Sequence, residues 1–231
     1  MNLVLFETAE LAATLPRTDP RAQHILNVLG RAESDTFDVG LVNGPLGKAT
    51  LAAITPDALI LTFVWSAPLA ALPATTLIIG LPRPQTARNI LRDATTLGAT
   101  CIHFVATERA DPNYAASTLW TTGEWRRHCL TGAAQAFDTR IPKVTWTRTL
   151  ASAITALPIS ASRLALDNYE ATAALRVETK EAVLAFGPER GWGPTDREAL
   201  RAAGFTLVHL GRRVLRVETA VVAALAIVHL G

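Results

Sequence analysis

The chain has 231 residues, 49% of them hydrophobic, and its 22 lysines and arginines against 20 aspartates and glutamates leave a net charge of +2. That length suits one large domain or two modest ones and leaves ample apolar material for a core, while no uninterrupted apolar run approaches the roughly 18 residues of a membrane-crossing helix. Cys101 and Cys129 form neither a CxxC nor a disulfide framework, and Met1 to Glu7 lack the basic start and apolar run of a signal peptide, so a reduced, cytoplasmic protein is expected.

Residues 1–66 read as a small β-rich unit. Asp19-Pro20 supplies an N-cap and a first-turn proline for a short helix through His24, Ile25 and Val28. Strands are predicted at Phe37 to Val42, Ala49 to Ile54 and Leu59 to Trp65, broken by the turns Asn43-Gly44-Pro45 and Pro56-Asp57. A proline-marked linker, Ser66 to Pro73, separates a first domain over 1–70 from a second over 74–231.

Beyond the linker, strands and helices alternate. A strand at Leu77 to Leu81 is followed by a helix that Pro84 opens and Gly98 ends, with Ile90, Leu91, Ala94 and Leu97 on one face. Next come a strand at Cys101 to Val105, an irregular stretch holding Trp120, and a helix from Glu124 to Phe137. Further strands are predicted at Lys143 to Trp146, Arg163 to Leu166, Ala182 to Phe186 and Phe205 to Leu210. Thr195-Asp196-Arg197-Glu198 reads as a capping box for a helix that Gly204 stops, and a final apolar helix runs from Thr219 to Leu230. Such alternation implies an α/β fold with a mainly parallel sheet covered on both faces.

Charge is split along the chain. Residues 1–74 carry four Lys/Arg and seven Asp/Glu, for −3, and residues 75–231 carry eighteen and thirteen, for +5. A polyanion should therefore be held mainly by the second part. No GxGxxG follows a strand, and no GxxxxGK[ST] or Gly-x-Ser-x-Gly occurs, which disfavours dinucleotide, P-loop and hydrolase sites. The five histidines lack ligand spacing, and His103 and His209, in predicted strands, read as core residues.

Two strand-to-helix junctions stand out. One is Phe186-Gly187-Pro188-Glu189-Arg190-Gly191-Trp192-Gly193-Pro194, and the other is His209 to Ala220, where Val214 and Leu215 sit among Arg212, Arg213 and Arg216 ahead of Glu218-Thr219. Two glycine-bearing loops at strand ends suggest one ligand cradle built from both.

These loops carry a specific resemblance. Residues 186–191 resemble the GPEGG loop of the RsmE family of 16S rRNA uridine-N3 methyltransferases, and residues 210–220 are similar to its LGxRILRxETA signature. Residues 90–99 resemble its KATELGV helix end, Thr107-Glu108-Arg109 its T-E-R/K stretch, and Trp125-Arg126 with Ala133-Ala134-Gln135, Arg140 and Pro142 its RW…AAEQSxRxxxP segment. Residues 24–29 are similar to the HxxxVLR of its N-terminal domain, so the likeness runs nearly end to end.

The resemblance implies a SPOUT methyltransferase domain with a trefoil knot, preceded by a PUA-like β-barrel that binds RNA. It implies S-adenosylmethionine as cofactor, a homodimer, and 16S rRNA or the small ribosomal subunit as partner. Leu166, Phe186, Gly187, Pro188, Glu189, Gly191, Leu210, Gly211, Val214 and Leu215 would bind the cofactor, the glycines permitting close backbone approach. Arg216 would stabilise the uridinate, oriented by Glu218. Arg83, Arg88, Arg109, Arg126, Arg127 and Arg140 would hold RNA phosphates. The chain departs from the family pattern at Arg190, Asp93, Thr96, Ala136, Asp138 and Gly30. Alternative readings are a SPOUT enzyme with a different RNA target, or a non-catalytic RNA-binding or ribosome-assembly protein.

Overall fold

The computed structural model describes residues 3–12, 14–67, 69–157, 162–176 and 181–230, leaving out the side chain of Leu230. Met1, Asn2 and the linker's Pro68 lie outside the described residues. By contact the chain divides into two units, one reaching to Ala71 and including Ala133–Ile141, the other holding Leu72–Gly132 and everything from Pro142 onward. The stretch Ala133–Ile141 thus groups with the N-terminal residues, an interruption that a division at one linker does not contain.

In the first unit the elements are β1 (Val4–Phe6), β2 (Leu15–Pro16), α1 (Pro20–Gln23, continuing as a π turn over His24–Val28), β3 (Thr36–Leu41), β4 (Leu46–Ile54) and β5 (Ala58–Trp65). Their strand order is β1-β3-β4-β5-β2, with β1 parallel to β3 and the remaining pairs antiparallel. Alternate residues Phe37 and Val39, and Ala49 and Leu51, turn to a core completed by Val4, Phe6, Ile25 and Leu59. The Asp19 carboxylate accepts the Arg21 amide at 2.8 Å and starts α1 as the sequence indicates. Thr139 fastens the returning segment, its hydroxyl donating to the Gly44 carbonyl at 2.6 Å and its own carbonyl accepting from the Asn43 amide at 2.9 Å.

The second unit runs β6 (Thr75–Gly80), α2 (Pro84–Thr96), β7 (Cys101–Ala106), α3 (Thr118–Thr121), α4 (Glu124–Gln135, whose end enters the first unit), β8 (Lys143–Thr149) and α5 (Leu150–Thr155). It continues with β9 (Ser162–Leu166), β10 (Ala173–Ala174), β11 (Ala182–Phe186), α6 (Pro194–Ala202), β12 (Thr206–His209) and α7 (Val217–Leu230). Among the described residues the strands form one parallel sheet in the order β10-β12-β9-β11-β6-β7-β8. Central β11 is buried at every residue, as expected of a parallel strand covered on both faces. On one face Ile78, Val105, Val183 and Ala185 pack against Ala153, Leu200 and Phe205. Helix α7 buries Val221, Ala224 and Leu225 and leaves Val222 and Ile227 36% and 39% exposed.

One local expectation is corrected. Helix α6 begins at Pro194, and its N3 carboxylate, Asp196, accepts the Gly193 amide at 3.0 Å, so the cap forms two residues before Thr195. Among the described residues no helix is long and apolar enough to cross a membrane.

Candidate active site

The C-terminal ends of β9, β11 and β12 open onto a cavity of about 630 Å³, also bordered by the starts of α2 and α7. Open parallel sheets place ligands at this edge, because loops diverge there and helix N-termini point into the gap. The walls come from three segments, Leu166–Tyr169, Phe186–Trp192 and Val214–Glu218 with Leu210 and Ala220 beside it, joined by Arg83, Thr86 and Arg197. Leu166, Phe186, Gly187, Pro188, Glu189, Gly191, Leu210, Val214, Leu215, Arg216 and Glu218, drawn from the sequence reading, all line it. Gly211 does not.

The glycines act on the loops themselves. A Cβ on Gly187 would stand 2.8 Å from the Gly191 carbonyl carbon and 2.8 Å from the Trp192 nitrogen, so this loop folds tightly on its own backbone. Gly211 has open space around it but φ of +104°, and its amide donates to His209 Nδ1 at 3.0 Å. It is needed for backbone conformation and not for close approach. His209 is accordingly the half-buried last residue of β12 and not a core one.

Glu189 is engaged elsewhere than with a ligand. Its Oε1 accepts the Arg83 amide and the Thr86 hydroxyl, each at 3.0 Å, and so caps α2 from the facing loop. The Thr107-Glu108-Arg109 stretch latches the same loop. Glu108 exchanges hydrogen bonds with the start of α6, accepting from the Thr195 amide at 3.1 Å and donating its own amide to Asp196 at 3.2 Å. Arg109 donates to the Arg190 carbonyl at 3.0 Å. Trp192 is 1% exposed, and its indole N–H reaches the Leu166 carbonyl at 3.1 Å, tying the ends of β9 and β11 together.

Asp167 and Arg197 form a buried ion pair in the cavity wall. Asp167 also accepts the amides of Tyr169 at 2.6 Å and Glu170 at 3.1 Å, which fixes the turn that presents Tyr169, 74% exposed, at the mouth. Burial pushes the Asp167 carboxyl up, but the hydrogen bonds from Arg197 and the two amides outweigh it and hold its pKa below the usual carboxylate value.

Arg216 is exposed at the cavity, and its guanidinium has no hydrogen-bond or ion-pair partner among the described residues. Glu218 is half-buried in the first turn of α7 and does not bond to Arg216. The expected orienting hydrogen bond is therefore not made.

The six arginines assigned to RNA are divided between the two units, five in the second and Arg140 in the first. Arg83 reaches the cavity and Arg109 holds its rim. Arg88 and Arg127 share the Glu124 carboxylate at 2.9 and 3.5 Å, and Arg126 lies on the same helical turn. Arg140 belongs to the first unit, where it pairs with Asp138 and donates to the Ala70 carbonyl. Sequence reading missed Asp167, Tyr169, Trp192 and Arg197. The one signal for them was position, since each lies just after a strand end or at the start of α6.

Comparison with known proteins matches this geometry. A family model described as an RNA methyltransferase domain covers residues 70–229. The chain is 36% identical to the ribosomal RNA small subunit methyltransferase E of Treponema pallidum, over 99% of this chain and 90% of that protein. It is 30% identical to the protein of that name from Synechocystis, over 97% of this chain and 76% of that one. Among solved structures, the ribosomal RNA small subunit methyltransferase E of Neisseria gonorrhoeae, bound to S-adenosyl methionine, matches with a TM-score of 0.76 at 26% identity, covering 97% and 95% of the two chains. A probable rRNA-methyltransferase from Porphyromonas gingivalis has the same fold, with a TM-score of 0.81 at 20% identity over 99% of this chain and 98% of that one. The resemblance read from the two loops is borne out: the chain belongs to the RNA methyltransferase domain family, in its ribosomal RNA small subunit methyltransferase E branch.

Proposed function

We propose that this member of the family transfers the methyl group of S-adenosylmethionine to N3 of a uridine in 16S rRNA. The observation that carries the reading is one cavity in which both glycine-bearing loops meet an arginine without a partner among the described residues. The cavity fits such a donor. Its volume lies in the range of cofactor sites, Leu166, Phe186, Leu210 and Leu215 supply apolar surface for an adenine, and the backbone of Gly187–Gly191 offers main-chain donors and acceptors beside it. Bound there, the sulfonium supplies an already activated methyl group.

What remains for the chain is alignment and charge. Uridine N3 carries a weakly acidic proton and becomes nucleophilic as that proton is released to solvent; the N3–methyl bond then forms as the sulfur–methyl bond breaks, and S-adenosylhomocysteine leaves. Arg216 stabilises the negative charge that spreads onto the flanking carbonyl oxygens, and Glu218 stands two residues away to orient it once the site fills. N3 is the pairing edge of the base, so the target must enter unstacked and unpaired.

The same reading assigns the second unit a SPOUT fold closed by a trefoil knot and the five-stranded unit a PUA-like barrel that contacts RNA. It makes the working unit a homodimer joined through the solvent-facing side of α7, with partly exposed Val222 and Ile227 on its two flanks. Cytoplasmic small ribosomal subunits or their rRNA are the partner, in keeping with two free cysteines. Comparing nucleosides of small-subunit rRNA from cells with and without the gene tests this. 3-Methyluridine should vanish with the gene and return with the intact protein but not with Arg216→Ala, and an unchanged nucleoside profile refutes the assignment.

A further inference from the structure

The second unit carries an aromatic assembly that the reaction above does not use. Phe104 of β7, Trp120 of α3, Trp146 of β8 and Trp125 of α4 form a continuous run of rings, with successive centroids 5.0, 5.4 and 6.0 Å apart. Trp120 lies nearly parallel to Trp146, at 12°, and Trp125 is tilted by 46°. The inner end is core. Phe104 is fully buried, and Trp120 is 3% exposed with its indole N–H donated to the Tyr114 carbonyl at 3.0 Å.

The outer end differs. Trp125 and Trp146 are both only half-buried, and neither indole N–H has a partner among the described residues. Buried indoles normally find one, so these face solvent. Trp146 lies on the terminal strand of the sheet order, where the register against β7 shifts between His103 and Val105. A shift of this kind on an edge strand re-aims the side chains beside it.

The surroundings are cationic. Arg126 and Arg127 follow Trp125 directly, Arg88 reaches across from α2, and the Glu124 carboxylate lies between them. The Arg127 side chain is 75% exposed. Flat aromatic faces rimmed by guanidinium groups suit unstacked nucleotides, whose bases stack on rings while their phosphates take the cations. With three arginines against one glutamate, the patch carries a net positive charge that a polyanion satisfies and an apolar protein partner does not. Three strand spacings, roughly 14 Å, separate β8 from β11 at the cavity, within reach of a short single-stranded segment. Helix α2 links the two places, with Arg83 and Thr86 on the cavity and Arg88 on Glu124, the residue before Trp125.

We propose that Trp125 and Trp146 form a stacking platform for unpaired RNA bases flanking the methyl-accepting uridine, with Arg88 and Arg127 on the adjoining phosphates. The proposal rests on the RNA-methyltransferase reading and extends it.

Binding of a short, uridine-containing single-stranded RNA and of small-subunit rRNA to the full chain, followed by tryptophan emission, tests it. RNA should quench the intact protein. Trp125→Leu and Trp146→Leu should each weaken RNA binding roughly ten-fold, with S-adenosylmethionine affinity and melting temperature close to the starting values. Trp146→Phe should bind nearly as well as the parent yet lose part of the quench. The tryptophan variants should keep the salt slope, whereas Arg127→Ala should reduce it by about one. Leucine variants that bind RNA like the parent, or an emission unmoved by RNA in a protein that methylates rRNA, would overturn the platform and leave the enzyme assignment standing. A parent protein that neither binds nor methylates rRNA would remove both.

Discussion

The Asp167 carboxylate and the Arg197 guanidinium pair inside the cavity wall with side chains 1% and 7% exposed, thirty residues apart in sequence. Removing one partner leaves the other buried without compensation, at a cost of about 3–5 kcal/mol. Arg197→Met should therefore lower stability strongly in denaturant unfolding, and Asp167→Asn combined with Arg197→Met should recover part of the loss. The acid limb gives a second check. Asp167 has a folded-state pKa below its ordinary 3.8, so its contribution is fully present above that value and is lost as pH falls through the folded pKa. The parent's stability should fall in that window, and Asp167→Asn should flatten the fall.

Gly187 and Gly211 should respond differently to alanine. At Gly187 the added Cβ meets backbone at 2.8 Å, which cannot give without opening the loop. S-adenosylmethionine binding should be lost while most of the melting temperature is kept. At Gly211 the space is open and only the positive φ resists, at a cost of about 1 kcal/mol. Calorimetry should find weakened but measurable affinity there. Equal affinities in the two variants would contradict the division of roles.

Arg216→Lys keeps a positive charge and loses the planar fork. With no structural partner among the described residues to disturb, the substitution should leave the fold and cofactor affinity near normal and lower turnover about a hundred-fold. Single-turnover kinetics with saturating cofactor would read this directly. A fully active lysine variant would remove Arg216 from the chemistry.

Charge at Val222 probes the proposed dimer. The residue is 36% exposed at the border of the buried face of α7, where Val221 and Leu225 are fully buried, so Val222→Asp should cost the isolated fold less than a charge at either of those. Light scattering should show monomers, and methylation should fall with them. A parent protein that is monomeric and fully active would end the dimer proposal.

The parallel sheet was legible because its buried strands are short apolar runs with helices between them; Ala182–Phe186 agrees residue for residue. Strands β1 and β2, of three and two residues, are too short to show a period, and α5 starts where β8 stops without a breaker. In the site, loop position and glycine content were readable, but individual duties were not. Glu189 looks like a ligand contact and caps a helix more than a hundred residues away, and Trp192 sits in a glycine-rich loop yet belongs to the core. Asp167 and Arg197 each look like a solvated turn or helix charge until the fold brings them together. Pairings at that separation leave no local pattern.

The most direct measurement incubates the purified chain with methyl-labelled S-adenosylmethionine and small-subunit rRNA, then digests the RNA to nucleosides for mass spectrometry. The account predicts label in 3-methyluridine, dependent on Arg216. Label in another nucleoside, or no transfer by protein that binds the cofactor, would contradict it.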